Sequence, residues 1–175
     1  VNARIDFEKE AAARFLKQVL KPTDRATVFT ISITPRMELQ RASSDAAAAK
    51  LKSIQATKGP TAFFDTVLEA ARYLAGSTPA QHRRVIVVIS DGEDNFSERI
   101  KAAIGDTAES QRSASVQTQA AAYNRAQSAV EREVQRAEAA FYSINPSGQA
   151  LKLNIISQRA QDGMARLANA TGGNS

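Results

Sequence analysis

The sequence has no cysteine, no tryptophan, one histidine and no apolar run near the roughly 20 residues that cross a bilayer. Each absence excludes something. Without thiols there is no disulfide, no thiolate nucleophile and no zinc-thiolate or iron-sulfur centre, and the redox compartment is not readable. The single histidine, His82, sits in a polar stretch ahead of an apolar one and is read as a bystander, not as a general base. No Gly-x-Ser-x-Gly elbow carries a serine nucleophile, and neither Gly-x-x-x-x-Gly-Lys-Ser/Thr nor Gly-x-Gly-x-x-Gly offers a phosphate cradle. Val1-Asn2-Ala3-Arg4 does not read as a secretory leader, and nothing in the chain calls for membrane insertion. Asn95-Phe96-Ser97 and Asn169-Ala170-Thr171 fit the glycosylation pattern, a common coincidence that carries no weight.

What is present is ordinary globular usage: 175 residues, 43% hydrophobic and 23% charged, enough for one domain with a core of its own. The net charge of +5 raises the question of nucleic acid, and its distribution answers it. Residues 1–58 hold 11 Lys/Arg against 6 Asp/Glu, residues 59–97 hold 3 against 5, and residues 98–175 hold 9 against 7. Positive charge therefore lies on helix-like flanks without the aromatic interleaving that stacks bases, which reads as a solvated surface and not as a nucleic-acid footprint.

The most informative stretch is Val85-Ile86-Val87-Val88-Ile89, bounded by Arg84 and by the turn Ser90-Asp91-Gly92-Glu93-Asp94-Asn95. Five β-branched residues without polar alternation predict a strand covered on both faces, as in a parallel sheet between helices. Ligands of such sheets bind beyond the carboxyl ends of the strands, so the acidic turn lies where function is expected. Elsewhere, periods of three and four predict helices over 6–20 (Phe7, Ala11, Phe15, Val19), 46–56 with Ser43, Ser44 and Asp45 as N-cap candidates, 62–75 closed by Gly76, and 157–170. Residues 98–138 predict helix broken at Gly105, then one long helix or two with a thin apolar seam through Val116, Ala120, Tyr123, Gln127, Val130, Val134 and Ala137. Strands are predicted at 26–34, at 37–42 as an antiparallel edge hairpin, and at 139–144 before a turn at Asn145-Pro146-Ser147-Gly148. Thr57 to Thr61 is a loop. The order is α/β with a mostly parallel sheet and one antiparallel edge strand.

Asp91 at the end of the central strand and Thr61 in a Gly-Pro-Thr loop opening a helix converge on one rim. Carboxylate and hydroxyl oxygens are the hard ligands of Mg²⁺, Mn²⁺ and Ca²⁺, although two ligands alone make a weak site. Set against this, Thr61 reads equally as the N-cap of the following helix, and Ser90-Asp91-Gly92 as a turn closing a strand. The spacing of Glu93, Asp94 and Asn95 does not fit an EF-hand.

Taken together, Val85 to Asp94, Gly59-Pro60-Thr61-Ala62-Phe63-Phe64-Asp65, Ala140-Phe141-Tyr142-Ser143-Ile144 and Ala170-Thr171-Gly172-Gly173 resemble the von Willebrand factor type A domain, in particular its bacterial branch. The resemblance covers nearly the whole chain as a single domain, 1–175, with 98–138 longer than the family's usual connection and so read as a helical insertion. It implies a Rossmann-like, doubly wound fold and a metal-ion-dependent adhesion site. Such a site takes its metal ligands from an Asp-x-Ser-x-Ser loop after the first strand, from a Thr and from an Asp. Thr61 and Asp91 match the last two. Ser90, Glu93 and Asp94 are then outer-shell or partner-contact candidates.

The Asp-x-Ser-x-Ser element has no match, so the resemblance places the start of the chain just after it, with the first central strand missing and the final strand cut short. Weak or absent binding of Mg²⁺, Mn²⁺ or Ca²⁺ and reduced stability from unpaired edges are then expected. The function implied is non-catalytic recognition of an acidic side chain on a partner protein, in an extracellular or cell-envelope setting. The alternatives are a degenerate, metal-free scaffold of the same fold and a metal-dependent phosphoryl or nucleotide enzyme with Asp91 as ligand or nucleophile.

Overall fold

A computed structural model of the chain describes residues 2–55, 59–145 and 155–174, and the side chains of 2–5, 7, 8, 155 and 156 lie outside that description. Phe7, Thr57 and the turn at Pro146–Gly148 therefore lie outside it as well. Two N-terminal helix–strand units come first: α1 (Asn2–Val19), β1 (Ala26–Thr30), β2 (Arg36–Ala42) and α2 (Ser44–Ser53). The second half runs α3 (Phe63–Ser77), β3 (Arg84–Ile89), α4 (Glu98–Ile104), α5 (Ala108–Ser113), α6 (Val116–Arg136), β4 (Ala139–Ile144) and α7 (Ile155–Ala170).

Among the described residues, β1 pairs antiparallel with β2, and β3 pairs parallel with β4 in register from Arg84 opposite Ala139 to Ile89 opposite Ile144. The antiparallel edge and the parallel pair are both as the sequence predicts. No described strand occupies the remaining edge of β1 or of β3.

Helix α3 aligns the two pairs. At one end, the Ala62 N–H donates to Ser32 O just past β1, and the Asn95 and Phe96 N–H groups just past β3 donate to Thr61 O. At the other end, Arg41 on β2 donates to Ser77 O and Arg84 at the start of β3 donates to Thr78 O. β1 and β3 therefore point the same way, antiparallel to α3, and their carboxyl ends share one rim beside residues 59–62.

The core explains why these segments adopt these forms. Phe63, Phe64, Val67, Leu68 and Ala71 on α3, Ile86 and Val88 on β3, Phe141 on β4, Tyr123, Ala126, Val130 and Val134 on α6, and Met164 and Leu167 on α7 make one buried cluster. A smaller contact joins α1 to α2, each burying an alanine pair, Ala12 with Ala13 and Ala47 with Ala48. Ser43 caps α2 as predicted, its hydroxyl accepting from the Ala46 N–H.

Four expectations need correction. Val85 and Val87 are 39% and 37% exposed, so β3 buries one face instead of two. Helices α3, α6 and α7 all belong to the Ile86–Val88–Phe141 core, and no described element covers the other face. The strand predicted over 26–34 ends at Thr30, because Ser32 turns back to donate its hydroxyl to Thr34 O. Gly76 is inside α3, which closes two residues later with the Thr78 N–H on Leu74 O. After Gly105 the structure takes the two-helix form of the expectation, α5 and α6, since Thr107 and Ser115 each cap a separate helix with a side-chain oxygen. Finally, the seam on α6 is broad: Ala122, Tyr123, Ala126, Gln127, Ala129, Val130 and Val134 are buried, while Val116 is exposed.

Candidate functional site

The rim is built from two loops separated by about 30 residues in sequence and joined by hydrogen bonds. Thr61 is bound at three points: its N–H donates to Asn95 Oδ1 at 2.8 Å, its hydroxyl donates to Glu93 O at 3.0 Å, and its carbonyl accepts from the Asn95 and Phe96 N–H groups. The acidic turn after β3 is internally ordered as well. Ser90 Oγ accepts from the Gly92 N–H, Asp91 Oδ1 accepts from the Glu93 N–H, and Gly92 takes a φ of +77° that a side chain would strain. Asp91 is left exposed, with Ser90, Glu93 and Thr61 half-buried around it.

Asp94 turns the other way. Its carboxylate accepts from the N–H groups of Phe64 at 2.7 Å, Phe96 at 3.2 Å and Ser97 at 2.9 Å, and from the Ser97 hydroxyl. It serves as the missing side-chain cap of α3, whose own N-cap Ala62 has none to offer, and also closes the turn into α4. Asp65 returns the favour, accepting the Glu98 N–H at 2.9 Å while its own N–H donates to Ser97 Oγ. Burial pushes the Asp94 carboxyl above its ordinary value, against the hydrogen bonds from Ser97, Phe64 and Phe96 that favour the anion. The Asp94 carboxylate is thus engaged at the starts of two helices, while Ser90 and Glu93 lie half-buried beside Asp91.

Sequence reasoning did not find Asn95, Ser97, Asp65, Gln111 or Tyr123 as rim residues. The spacing Asp94-x-x-Ser97 ahead of a helical run carried a capping signal for the first pair. No local pattern announces that Tyr123, on α6, donates its hydroxyl to Gly92 O at 3.2 Å, or that Gln111, on α5, donates to Asn95 O at 2.7 Å. Burial, with the Asp94, Glu93 and Asp91 carboxylates adding to it, raises the Tyr123 phenol well beyond the ordinary range, so it stays a donor. Glu93 reaches α7 through the Ser157 hydroxyl at 2.6 Å.

As a cation site, the rim offers hard oxygen donors: the exposed Asp91 carboxylate and the lone pairs of the Thr61 hydroxyl, whose proton points to Glu93 O. Among the described residues no group of three or more Asp, Glu, His or Cys side chains converges in metal-ligand fashion. The donor chemistry fits two ligands of a hydrated hard cation and does not form a protein cage. No helix among the described residues is long and apolar enough to cross a membrane.

Comparison with protein families matches residues 2–93 to the von Willebrand factor type A domain. The match takes in both Thr61 and Asp91 and ends inside the acidic turn, ahead of α4, α5 and α6. No curated protein and no solved structure matches the chain. With slightly more than half its length matched, and with helices around one antiparallel and one parallel strand pair, the chain belongs to the von Willebrand factor type A domain family, α/β Rossmann-like domains that generally serve as protein-interaction modules.

Proposed function

We propose that the chain is a non-catalytic binding module whose rim recognises an acidic side chain of a partner protein through a divalent cation held by Thr61 and Asp91. The observation that carries this reading is the junction of the two loops. Three hydrogen bonds to Thr61 come from Asn95 and Phe96, and a fourth joins its hydroxyl to Glu93, so a hydroxyl and an exposed carboxylate are presented on one rim. Mg²⁺ suits such a set, because it keeps several waters and takes few protein oxygens; Mn²⁺ and Ca²⁺ are the chemical neighbours. A bound cation supplies the positive charge that an incoming carboxylate needs. Asp91 and Thr61 orient it, Ser90 and Glu93 border it, and the hydrogen bonds of the turn keep Asp91 from folding back.

A second reading draws on a separate observation. The Thr61 hydroxyl is already satisfied by Glu93 O, so the rim is stable without metal, and a metal-free interaction scaffold is the alternative.

Calorimetric titration of Mg²⁺ and Mn²⁺ into the protein separates the two readings. Binding that is abolished by Asp91→Ala and weakened about tenfold or more by Thr61→Ala supports the cation site, since each lost oxygen ligand is expected to cost at least about 1.4 kcal/mol. Absence of binding leaves the metal-free scaffold.

A further inference from the structure

We infer that the segment from α4 to α6 is a brace for the rim, and that Gln111 and Tyr123 are positioning residues holding the Thr61 loop and the Asp91 turn in register. As a statement about the cation site this rests on the function proposed above; as a statement about the rim it stands on its own contacts.

Tyr123 reaches both halves of the rim from below. Its hydroxyl donates to the carbonyl of Gly92, the residue between Asp91 and Glu93, and its ring meets that of Phe64 edge-on at 4.8 Å. Phe64 is in turn tied to the acidic turn through its N–H on Asp94. The turn therefore rests on a buried ring that is fixed against the start of α3.

Gln111 acts from the side. Its amide donates to Asn95 O at 2.7 Å and to Gly105 O at 3.2 Å, and Asn95 is the residue that accepts the Thr61 N–H and donates to Thr61 O. Helix α5 buries no residue, so apolar packing does not account for where it lies. It is held by polar contacts instead: a Thr107–Ser110 capping box at its start, the Gln119 amide on Gln111 O and Ala114 O from α6, and Gln111 on the rim. On α4, the Lys101 ammonium lies 4.4 Å from the centroid of Phe96, the residue after Asn95. A segment that merely added length would have its polar groups in water. Here the Tyr123 hydroxyl and the Gln111 amide end on the Gly92 and Asn95 carbonyls of the acidic turn.

The test reads local opening directly. Hydrogen exchange is followed in the wild-type chain, Tyr123→Phe and Gln111→Ala. Tyr123→Phe keeps the ring and removes the donor, and is expected to speed exchange of the Gly92 and Glu93 amides about 3- to 10-fold, the effect of one net hydrogen bond. Gln111→Ala is expected to do the same for the Thr61 and Asn95 amides. Exchange at Ile86, Val88 and Phe141 should stay as in the wild type. No change at the rim amides, or a uniform rise that includes the core strands, overturns the brace.

Mn²⁺ affinity measured in the same variants adds the functional arm. Where the wild type binds, each variant should bind about 3- to 10-fold more weakly with its core exchange unaltered, and undiminished affinity overturns the positioning role. Where the wild type binds no metal, the function proposed above fails while the exchange data still decide the brace.

Discussion

Asp94 holds the rim together from inside. Three backbone N–H groups and a hydroxyl converge on one half-buried carboxylate, so removing it strands donors at the starts of both α3 and α4. Asp94→Ala is expected to cost on the order of 3 kcal/mol, seen as a lower urea midpoint with little change in slope. Its pH dependence has a definite sign. Burial raises this carboxyl above its ordinary value of 3.8, so the folded chain binds the proton more tightly than the unfolded one. The contribution is therefore largest below about pH 4 and declines as pH rises from there through the raised folded value. Urea midpoints of wild type and Asp94→Ala from acid to neutral pH should converge across that window, and divergence would contradict the assignment. At this scale the sequence was partly legible. An acid cluster after a strand marked the place, but which acid faces water and which caps two helices depended on where the 59–62 loop lands.

Among elements, the return of the chain after α7 onto β4 shows how close approach selects a residue. Thr171 accepts the Phe141 N–H on its hydroxyl, and the Ser143 N–H donates to Asn174 O. Between them, a Cβ on Gly173 would lie 1.6 Å from Phe141 O, a backbone atom with no room to yield. Gly173→Ala should therefore destabilise by about 1–3 kcal/mol, the usual range for forced overpacking, and a thermal melt is sufficient to test it. A variant as stable as wild type would mean that this segment leaves β4 at no cost. The Gly172-Gly173 pair follows the helix predicted over 157–170 and closes it, Gly172 taking a φ of +74°. Its second role, lying against a strand, carries no local pattern. Helix α6 teaches the same lesson. Its seam was read as thin, with the polar Gln127 among its members, and Gln127 is buried with its amide on Gly163 O, where α6 and α7 approach closely. A periodicity argument scores the side chain's polarity and has no access to the carbonyl that satisfies it.

At the scale of the molecule, the open features among the described residues are the edges of β1 and β3 and one side of the β3–β4 pair. Val85, Val87 and Ile144 stand 39%, 37% and 41% exposed on or beside that side. Unpaired strand edges next to exposed apolar side chains template association. Residues 1–175 are expected to self-associate as concentration rises, visible as an increasing weight-average sedimentation coefficient. Val87→Lys should suppress this while leaving the melting temperature within a few degrees of wild type, because its side chain stands 37% exposed, where a lysine ammonium can reach water. A large drop in melting temperature would instead show that this face is covered in solution.

The sequence by itself determined the strand at Val85–Ile89, the helices on either side, the antiparallel edge pair and the two loops on which a site could be built. Each rests on information local to a few residues: β-branching, a period of three or four, a cap, a turn residue. It also carried the motifs that place the chain in its family, because Thr61 and Asp91 keep their local surroundings. What tertiary structure alone decided is which groups face one another. The shared cap at Asp94, the Tyr123 hydroxyl under Gly92, the Gln111 amide on Asn95 and the open face of Val85 and Val87 all join residues far apart in sequence. Hydrogen bonding and burial are relations between elements, and no window of sequence contains both partners.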